Sequence, residues 1–375
     1  MKKVLVLLFI LLLSGMASLS AAAEEDSAAE LYRRQYESSG AGGLADLLPG
    51  QTENAMDRLE IDPADPASLS KLEPKNVFAV IWEFLADGAK TPLSVTAALV
   101  GVLLLFASAG NLMGEAPGSA FAVFVCFGAA LVLLRPVYEA IGGVESAIRG
   151  ISVFMLSFVP VFAGIMLSSG AVSSAGGFSA LLLGAAESMA QFVSFGFVPM
   201  IGGCMCLGIC GGLSPVPGIA RIGEFLKKTA IWVMGLATTL FLGVLSIQTS
   251  IQAAADNLGL RTSKAVLGGA IPVMGPAIAE TLGTAKSCLS LLRSGVGIYG
   301  VLAVVLMALP LLSELILWRA GLWLCAGVGE VFGMKEACAL FRSVDFCLAI
   351  LIGALVFVAL LFIISLTVAI RAGGG

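Results

Sequence analysis

Long apolar stretches dominate this sequence and restrict what it can fold into. Each approaches or exceeds the roughly 20 residues that an α-helix needs to cross about 30 Å of hydrocarbon. Such stretches fold as helices, because lipid offers no partners for unpaired backbone groups. They lie at about 93–112, 118–134, 151–170, 180–212, 230–250, 296–318 and 344–370. The sequence therefore predicts an all-α, polytopic membrane helical bundle with about seven spans, and six to eight spans are compatible with it.

Composition excludes a soluble globular domain. Hydrophobic residues make up 58% of the chain and charged residues 12%, whereas soluble domains are about 45–50% apolar. The 45 glycines favour helices that pack closely through small residues. A net charge of −4 divided among many loops excludes a nucleic-acid partner.

Several kinds of chemistry are also excluded by residue type. The chain has no histidine, which removes Ser-His-Asp and Cys-His catalysis and His-ligated zinc. No phosphate-binding GxxxxGK[ST] motif is present, so the chain is not itself an ATPase. Most of the cysteines lie in apolar segments, where packing is the favoured interpretation, and the cluster Cys204, Cys206 and Cys210 matches no zinc or iron–sulfur spacing. We expect no catalytic residue, no cofactor and no metal.

The first 23 residues have the pattern of a secretory signal peptide. Lys2 and Lys3 precede an apolar run over 4–13, and small residues follow at 20–23. This pattern predicts cleavage after Ala22 or Ala23, and an uncleaved anchor is the alternative.

Residues 24–75 form the one long hydrophilic segment, an acidic arm that lies outside the cytoplasm if the signal peptide works. Its apolar residues are too few for an independent core, and a partner-binding arm and a solvated linker are both compatible with it. Residues 76–92 contain Trp82 and predict an interfacial helix at the membrane surface. The spans within 93–250 then form an N-terminal membrane bundle.

The sidedness of the later loops depends on the stretch at 180–212. It contains Pro199 and several glycines, so a kinked helix and a broken pair of helices are both compatible with it. Seven spans with the N-terminus outside place more basic residues in outer than in inner loops, contrary to the positive-inside rule. Either one span is miscounted or the signal peptide stays as an anchor.

Glu187 lies in apolar surroundings within this stretch. A carboxylate at membrane depth is costly, so it is expected to face the bundle interior, to stay protonated or to find a partner. One interpretation is a pathway residue in a conduit. The other, which we favour, is a neutral or hydrogen-bonded glutamate beside Ser188 and Gln191.

Residues 251–295 combine a helix break with an amphipathic helix. Glycines and prolines concentrate within 268–276, and from residue 278 apolar residues follow the spacing of one helical face. A re-entrant or hinge element and a surface helix are both compatible with this pattern. Residues 296–375 then hold the C-terminal spans. The positions that we expect to shape this break are Gly268, Ile271, Pro272, Gly275 and Pro276.

This segment carries a resemblance to a known family. A Gly-x-x-Ile-Pro-x-x-Gly sequence, matched by Gly268, Ile271, Pro272 and Gly275, followed by an amphipathic helix and two last spans, resembles the stage III sporulation protein AE family. The resemblance implies endospore formation, a place in the mother-cell membrane around the forespore, and membership of a channel complex joining the two cells. Other membrane subunits are then the expected partners, and association between copies of this chain stays open.

Two functions from different classes follow. The first is a conduit or structural subunit of such a sporulation transport complex. The second is an independent secondary transporter of a small solute, which would have an inverted repeat with two broken helices and polar groups at midplane. The sequence shows one clear break, at 268–276, and a second candidate near Pro199, so the first function is favoured.

Overall fold

The computed structural model describes residues 26–65, 68, 73–112, 119–169, 172–197, 199–203, 206, 222, 225–226, 228–233, 235–247 and 275–371. All regular elements there are helical, which confirms the all-α prediction. Residues 1–25, with the predicted signal peptide, lie outside the described residues. The helices are α1 (Asp26–Ser38), a 3₁₀ helix (Ala41–Leu47), α2 (Gly50–Arg58), α3 (Pro74–Gly88), α4 (Lys90–Leu112), α5 (Ser119–Ser168), α6 (Val172–Gln191), a π-helix (Phe192–Phe197), α7 (Lys228–Ile247), α8 (Gly275–Val331) and α9 (Lys335–Arg371).

Within the described residues, 5 helices are long and apolar enough to cross a membrane: α4, α5, α7, α8 and α9. The predicted count of seven is not confirmed. The predicted spans at 118–134 and 151–170 are parts of one helix, α5, which has 50 residues and a length of about 75 Å. The predicted amphipathic helix and the span at 296–318 likewise belong to α8, which has 57 residues. Both helices are much longer than one crossing of about 30 Å.

The middle of α5 shows why two predicted spans join. Residues 135–150 carry charges that suggested a loop, but these charges form helix-stabilising pairs one turn apart, Arg135 with Glu139 and Glu145 with Arg149. Val144 and other apolar residues on another face of the same segment are buried in the bundle. The segment is therefore an amphipathic helix, and its apolar face holds it against its neighbours.

The central element of the fold is α8, which contacts α1, α2, α3, α4, α5 and α9. A tight turn joins it to α9. Gly333 has a φ of 70° there, and the Met334 N–H donates to the Gly329 carbonyl at 2.9 Å while the Gly333 N–H donates to the Glu330 carbonyl at 3.1 Å. This is a Schellman motif, which needs a residue that adopts positive φ at low cost. It lets α9 run back antiparallel to α8.

The core between α5, α6 and α8 is aromatic. Phe154, Phe158, Phe162 and Phe178 form a chain with ring centroids 5.7, 5.5 and 5.4 Å apart. Gly300 of α8 faces this chain, and a Cβ placed there would lie 2.5 Å from the Phe158 ring. The absence of a side chain at Gly300 therefore allows α5 and α8 to approach closely.

Two polar contacts fix the register of α8 against α9. The Arg319 guanidinium makes a bidentate ion pair with the Asp345 carboxylate at 2.6 and 3.1 Å. Toward the other end of α9, buried Arg293 donates to the carbonyl of Ala369, where a helix C-terminus favours a cation. Residues 294–313 of α8 and 346–370 of α9 lie between these contacts without a charged side chain. We call these two runs the apolar zone.

The bidentate partner of Arg319 comes from the neighbouring helix of the hairpin. In the structure Asp345 of α9 provides the bidentate partner of Arg319, and Glu314 accepts a hydrogen bond from the Trp318 indole at 3.4 Å. Arg319 faces α9, and the hairpin brings Asp345 to the same level.

Candidate functional site: the arm-covered face of α8

The predicted helix break lies largely outside the described residues. Gly268, Ile271 and Pro272 belong to a segment that the structure does not describe. Gly275 is the first residue of α8 and Pro276 the second, and proline is well tolerated there because the first N–H groups of a helix have no intrahelical acceptor. The role of this segment stays a prediction.

Glu187 lies on the exposed surface of α6 and not in the bundle interior. Its carboxylate accepts a hydrogen bond from the Gln191 amide at 2.9 Å. Of the outcomes expected for this residue, the structure shows a partner one turn away. A pathway role for Glu187 stays a prediction.

Cys126, Cys325, Cys338 and Cys347 are buried in the helical core, and Cys206 is exposed. In the described part of the chain, no three Cys, Asp or Glu side chains come together in a way that could hold a metal ion. The most distinctive site is instead the contact between the N-terminal segment and α8.

Residues 26–65, which we call the arm, are the longest described stretch of the acidic segment predicted at 24–75. They pack on the bundle through buried side chains, including Tyr32 and Tyr36, which are 1% and 7% exposed. The Tyr32 hydroxyl donates to the Pro63 carbonyl at 3.0 Å, and the Tyr36 hydroxyl to the Ala41 carbonyl at 3.2 Å. Burial raises the pKa of both hydroxyls above the usual range, that of Tyr36 to about 12. This part of the segment is therefore not a solvated linker.

The Tyr32 side chain packs directly against the backbone of Gly295 in α8. A Cβ added at Gly295 would lie 2.5 Å from the Tyr32 hydroxyl oxygen and 3.6 Å from its Cζ. The arm therefore reaches α8 at the start of the apolar zone, and only glycine leaves space for the hydroxyl there.

The arm presents a charged outer surface. Its residues Glu30 and Arg34 pair with each other one turn apart while their side chains stay 68% and 73% exposed. The other exposed charged residues of the arm are Arg33, Glu37, Asp46, Glu53, Asp57, Arg58, Glu60 and Asp62. The arm is thus amphipathic as a unit: its buried apolar side chains lie on the bundle, and its charged side chains stay exposed.

Helix α3 continues this cover along α8. The Ser313 hydroxyl of α8 lies 3.2 Å from the Phe84 carbonyl of α3, and Glu83 of α3 forms an ion pair with Arg58 of the arm. Phe78 and Trp82 on another face of α3 are 67% and 64% exposed. The helix predicted over 76–92 is thus present as α3, and its position at the membrane surface stays a prediction.

A cavity of about 850 Å³ lies between the arm, α3, α5 and α8. Asn54 and Asp57 of the arm form part of its wall, and Ala147 of α5 and Met307 and Leu311 of α8 form another part. It therefore lies between the polar arm and the apolar zone of α8.

The family described as stage III sporulation protein AE matches residues 70–373. The chain belongs to the stage III sporulation protein AE family. This confirms the resemblance drawn from the sequence, and it covers every described helix from α3 to α9. Stage III sporulation protein AE of Bacillus subtilis (strain 168) is 25% identical over 333 residues, which are 87% of this chain and 82% of that protein. No solved structure gives a significant match.

Sequence reasoning missed Tyr32, Gly295 and Asp345. Asp345 had a usable signal, because Arg319 and Asp345 lie at similar distances on either side of Gly333, where an antiparallel hairpin brings them to one level. Gly295 had no such signal, since nothing local distinguishes it from the other glycines of the chain.

Proposed function

We propose that this chain is an integral membrane subunit of a sporulation-specific channel or secretion-like complex that connects the mother cell and the forespore. The observation that carries this proposal is the family match over residues 70–373. The long apolar helices support membrane insertion. The chain acts as a structural and conduit subunit and not as an enzyme, and it resides in the mother-cell membrane around the forespore with other subunits of the complex.

Deletion of the gene in its own spore-forming host tests the proposal. We expect forespores to arrest after engulfment, with the loss of heat-resistant spores restored by the wild-type gene. Affinity purification from sporulating cells should recover other sporulation membrane proteins. Normal sporulation of the deletion strain would contradict the proposal.

Transport assays on the purified chain distinguish a subunit from an independent transporter. A secondary transporter purified alone and placed in liposomes would accumulate a solute at the expense of an ion gradient. A conduit subunit would show no such activity without its partners. Solute transport by the isolated chain would therefore favour the second function.

A further inference from the structure

The uncharged run of α8 lies beside an element that carries many charged side chains, the arm. Residues 294–313 of α8 and 346–370 of α9 carry no charged side chain, and the first run is about 30 Å long, the thickness of the hydrocarbon core. The arm and α3 lie beside the first run, from Gly295 at one end to Ser313 at the other. A charged side chain facing hydrocarbon at midplane costs about 2.5–3.5 kcal/mol on insertion scales. The arm carries ten exposed charged residues, so this side of α8 cannot face lipid.

Another side of the bundle has the opposite character at the same depth. Phe158 of α5 lies against Gly300 of α8, which puts the second half of α5 beside the apolar zone. Beyond residue 150, the exposed large side chains of α5 are apolar: Val153, Leu156 and Leu167 are 53%, 40% and 49% exposed. They form a stripe suited to lipid.

Polar side chains also line the cavity beside the uncharged run of α8. Met307 lies within the uncharged run of α8, yet it shares the cavity wall with Asn54 and Asp57 of the arm and with Glu314. A space of about 850 Å³ with several polar groups on its wall is large and polar enough to hold many waters.

We propose that the arm-covered side of α8 faces a water-filled space at membrane depth, and that the cavity at Met307 is part of this space. The occupants are water and small hydrophilic solutes, and the arm is the hydrophilic lining. The identification of this space with a conduit rests on the proposed function. The inference adds to that function by stating which face of the chain borders the conduit.

Thiol labelling of the full chain in native membranes tests the proposal. Met307→Cys and the matched Val153→Cys are made in a background without the native cysteines. Gly150, three residues from Val153, has its Cβ position 3.6 Å from the Met307 methyl carbon, so the two positions lie at similar depth. Val153 is largely exposed, whereas Met307 is only partly so. Accessible surface alone therefore predicts faster labelling of Val153→Cys.

We expect the reverse with a charged, membrane-impermeant thiosulfonate. The thiolate that reacts exists only where water stabilises it, so Met307→Cys should label more than about tenfold faster than Val153→Cys. Ala147→Cys, at a second cavity position, should behave like Met307→Cys and serves if Met307→Cys is not stably inserted. Both cavity positions and Val153→Cys should label fully after denaturation.

Two results would overturn the inference. Absence of labelling at both cavity positions would mean that lipid or protein fills the space. Equal labelling of Val153→Cys would mean that the whole region stands outside the membrane. Neither result depends on spore counts, so failure of this inference is distinguishable from failure of the proposed sporulation function.

Discussion

The contact between Tyr32 and Gly295 can be disrupted by one substitution, Gly295→Ala, and restored by a second, Tyr32→Phe. In Gly295→Ala the new Cβ would lie 2.5 Å from the Tyr32 hydroxyl oxygen, closer than real contacts allow. Overpacking of this kind costs about 1–3 kcal/mol. Since about 1.4 kcal/mol is a factor of ten, we expect the arm to detach roughly 5-fold to 150-fold more often.

Tyr32→Phe removes the atom that clashes. The next ring atom, Cζ, lies 3.6 Å from the same Cβ position, an ordinary contact. Tyr32→Phe alone loses the hydrogen bond to the Pro63 carbonyl, at a cost of about 1 kcal/mol. The double variant should therefore match Tyr32→Phe, which makes the two substitutions strongly non-additive.

Trypsin cleavage of the full chain in membrane vesicles measures this opening. Arg33 and Arg34 lie in α1, and cleavage in a helix requires local opening, so its rate follows the population of the detached arm. Gly327→Ala is the matched control, because a Cβ at that position of α8 meets nothing within 4 Å. The reasoning is refuted if Gly295→Ala is cleaved like the control, or if Tyr32→Phe does not rescue it.

Three further predictions concern the same framework. Cysteines at Gly88 and Glu314, with Cβ positions 3.6 Å apart, should form a disulfide on mild oxidation, detectable by mass spectrometry, because this separation suits the bond. Asp345→Asn should lower the free energy of unfolding in detergent by about 1–2 kcal/mol, because the partly buried Arg319 loses its ionic partner, whereas replacing both residues by apolar ones should recover most of the loss. The pKa of Tyr36 is raised to about 12 in the folded arm. Docking of the arm should therefore be complete below about pH 10, the ordinary tyrosine value, and should weaken as the pH rises through 12. Phenolate absorbance measures this titration.

Controls keep these outcomes specific. Gly101→Cys paired with Glu314→Cys should stay reduced, because a Cβ at Gly101 has no neighbour within 4 Å. A disulfide in this control would show non-specific oxidation. Unchanged unfolding of Asp345→Asn would mean that the ion pair contributes nothing measurable. A Tyr36→Phe variant should lose only the share of the alkaline weakening that Tyr36 contributes, because burial also raises the pKa of the Tyr32 hydroxyl.

The helical membrane class could be predicted because it depends on local composition alone. The continuity of α5 could not be predicted as readily, because Arg135 and Glu145 lie in a charged segment that is typical of a loop. Their partners one turn away, Glu139 and Arg149, support a helix only when an apolar face is buried beside them. That condition depends on α8, which is more than a hundred residues away in sequence.

The arm shows a second limit of sequence reasoning. Its apolar residues are too few for a core of their own, which is why a linker was one interpretation. Tyr32 and Tyr36 nevertheless become buried, because α8 supplies the other half of the core. Gly295 contributes by having no side chain, and the requirement for glycine there appears only when the two elements meet.

Docking of the arm and hydration of its outer side are thermodynamically linked. Burial of a large apolar side chain stabilises by about 1.5–3 kcal/mol, so a few anchors such as Tyr32 and Met56 provide several kcal/mol. If lipid replaced water at Glu30, Arg34 and Asp57, the cost at about 2.5–3.5 kcal/mol for each charge would be at least as large. The arm can therefore stay on α8 at membrane depth only while the space beyond it is wet. By reciprocity, a partner that excludes water from this space must either pair those charges or displace the arm.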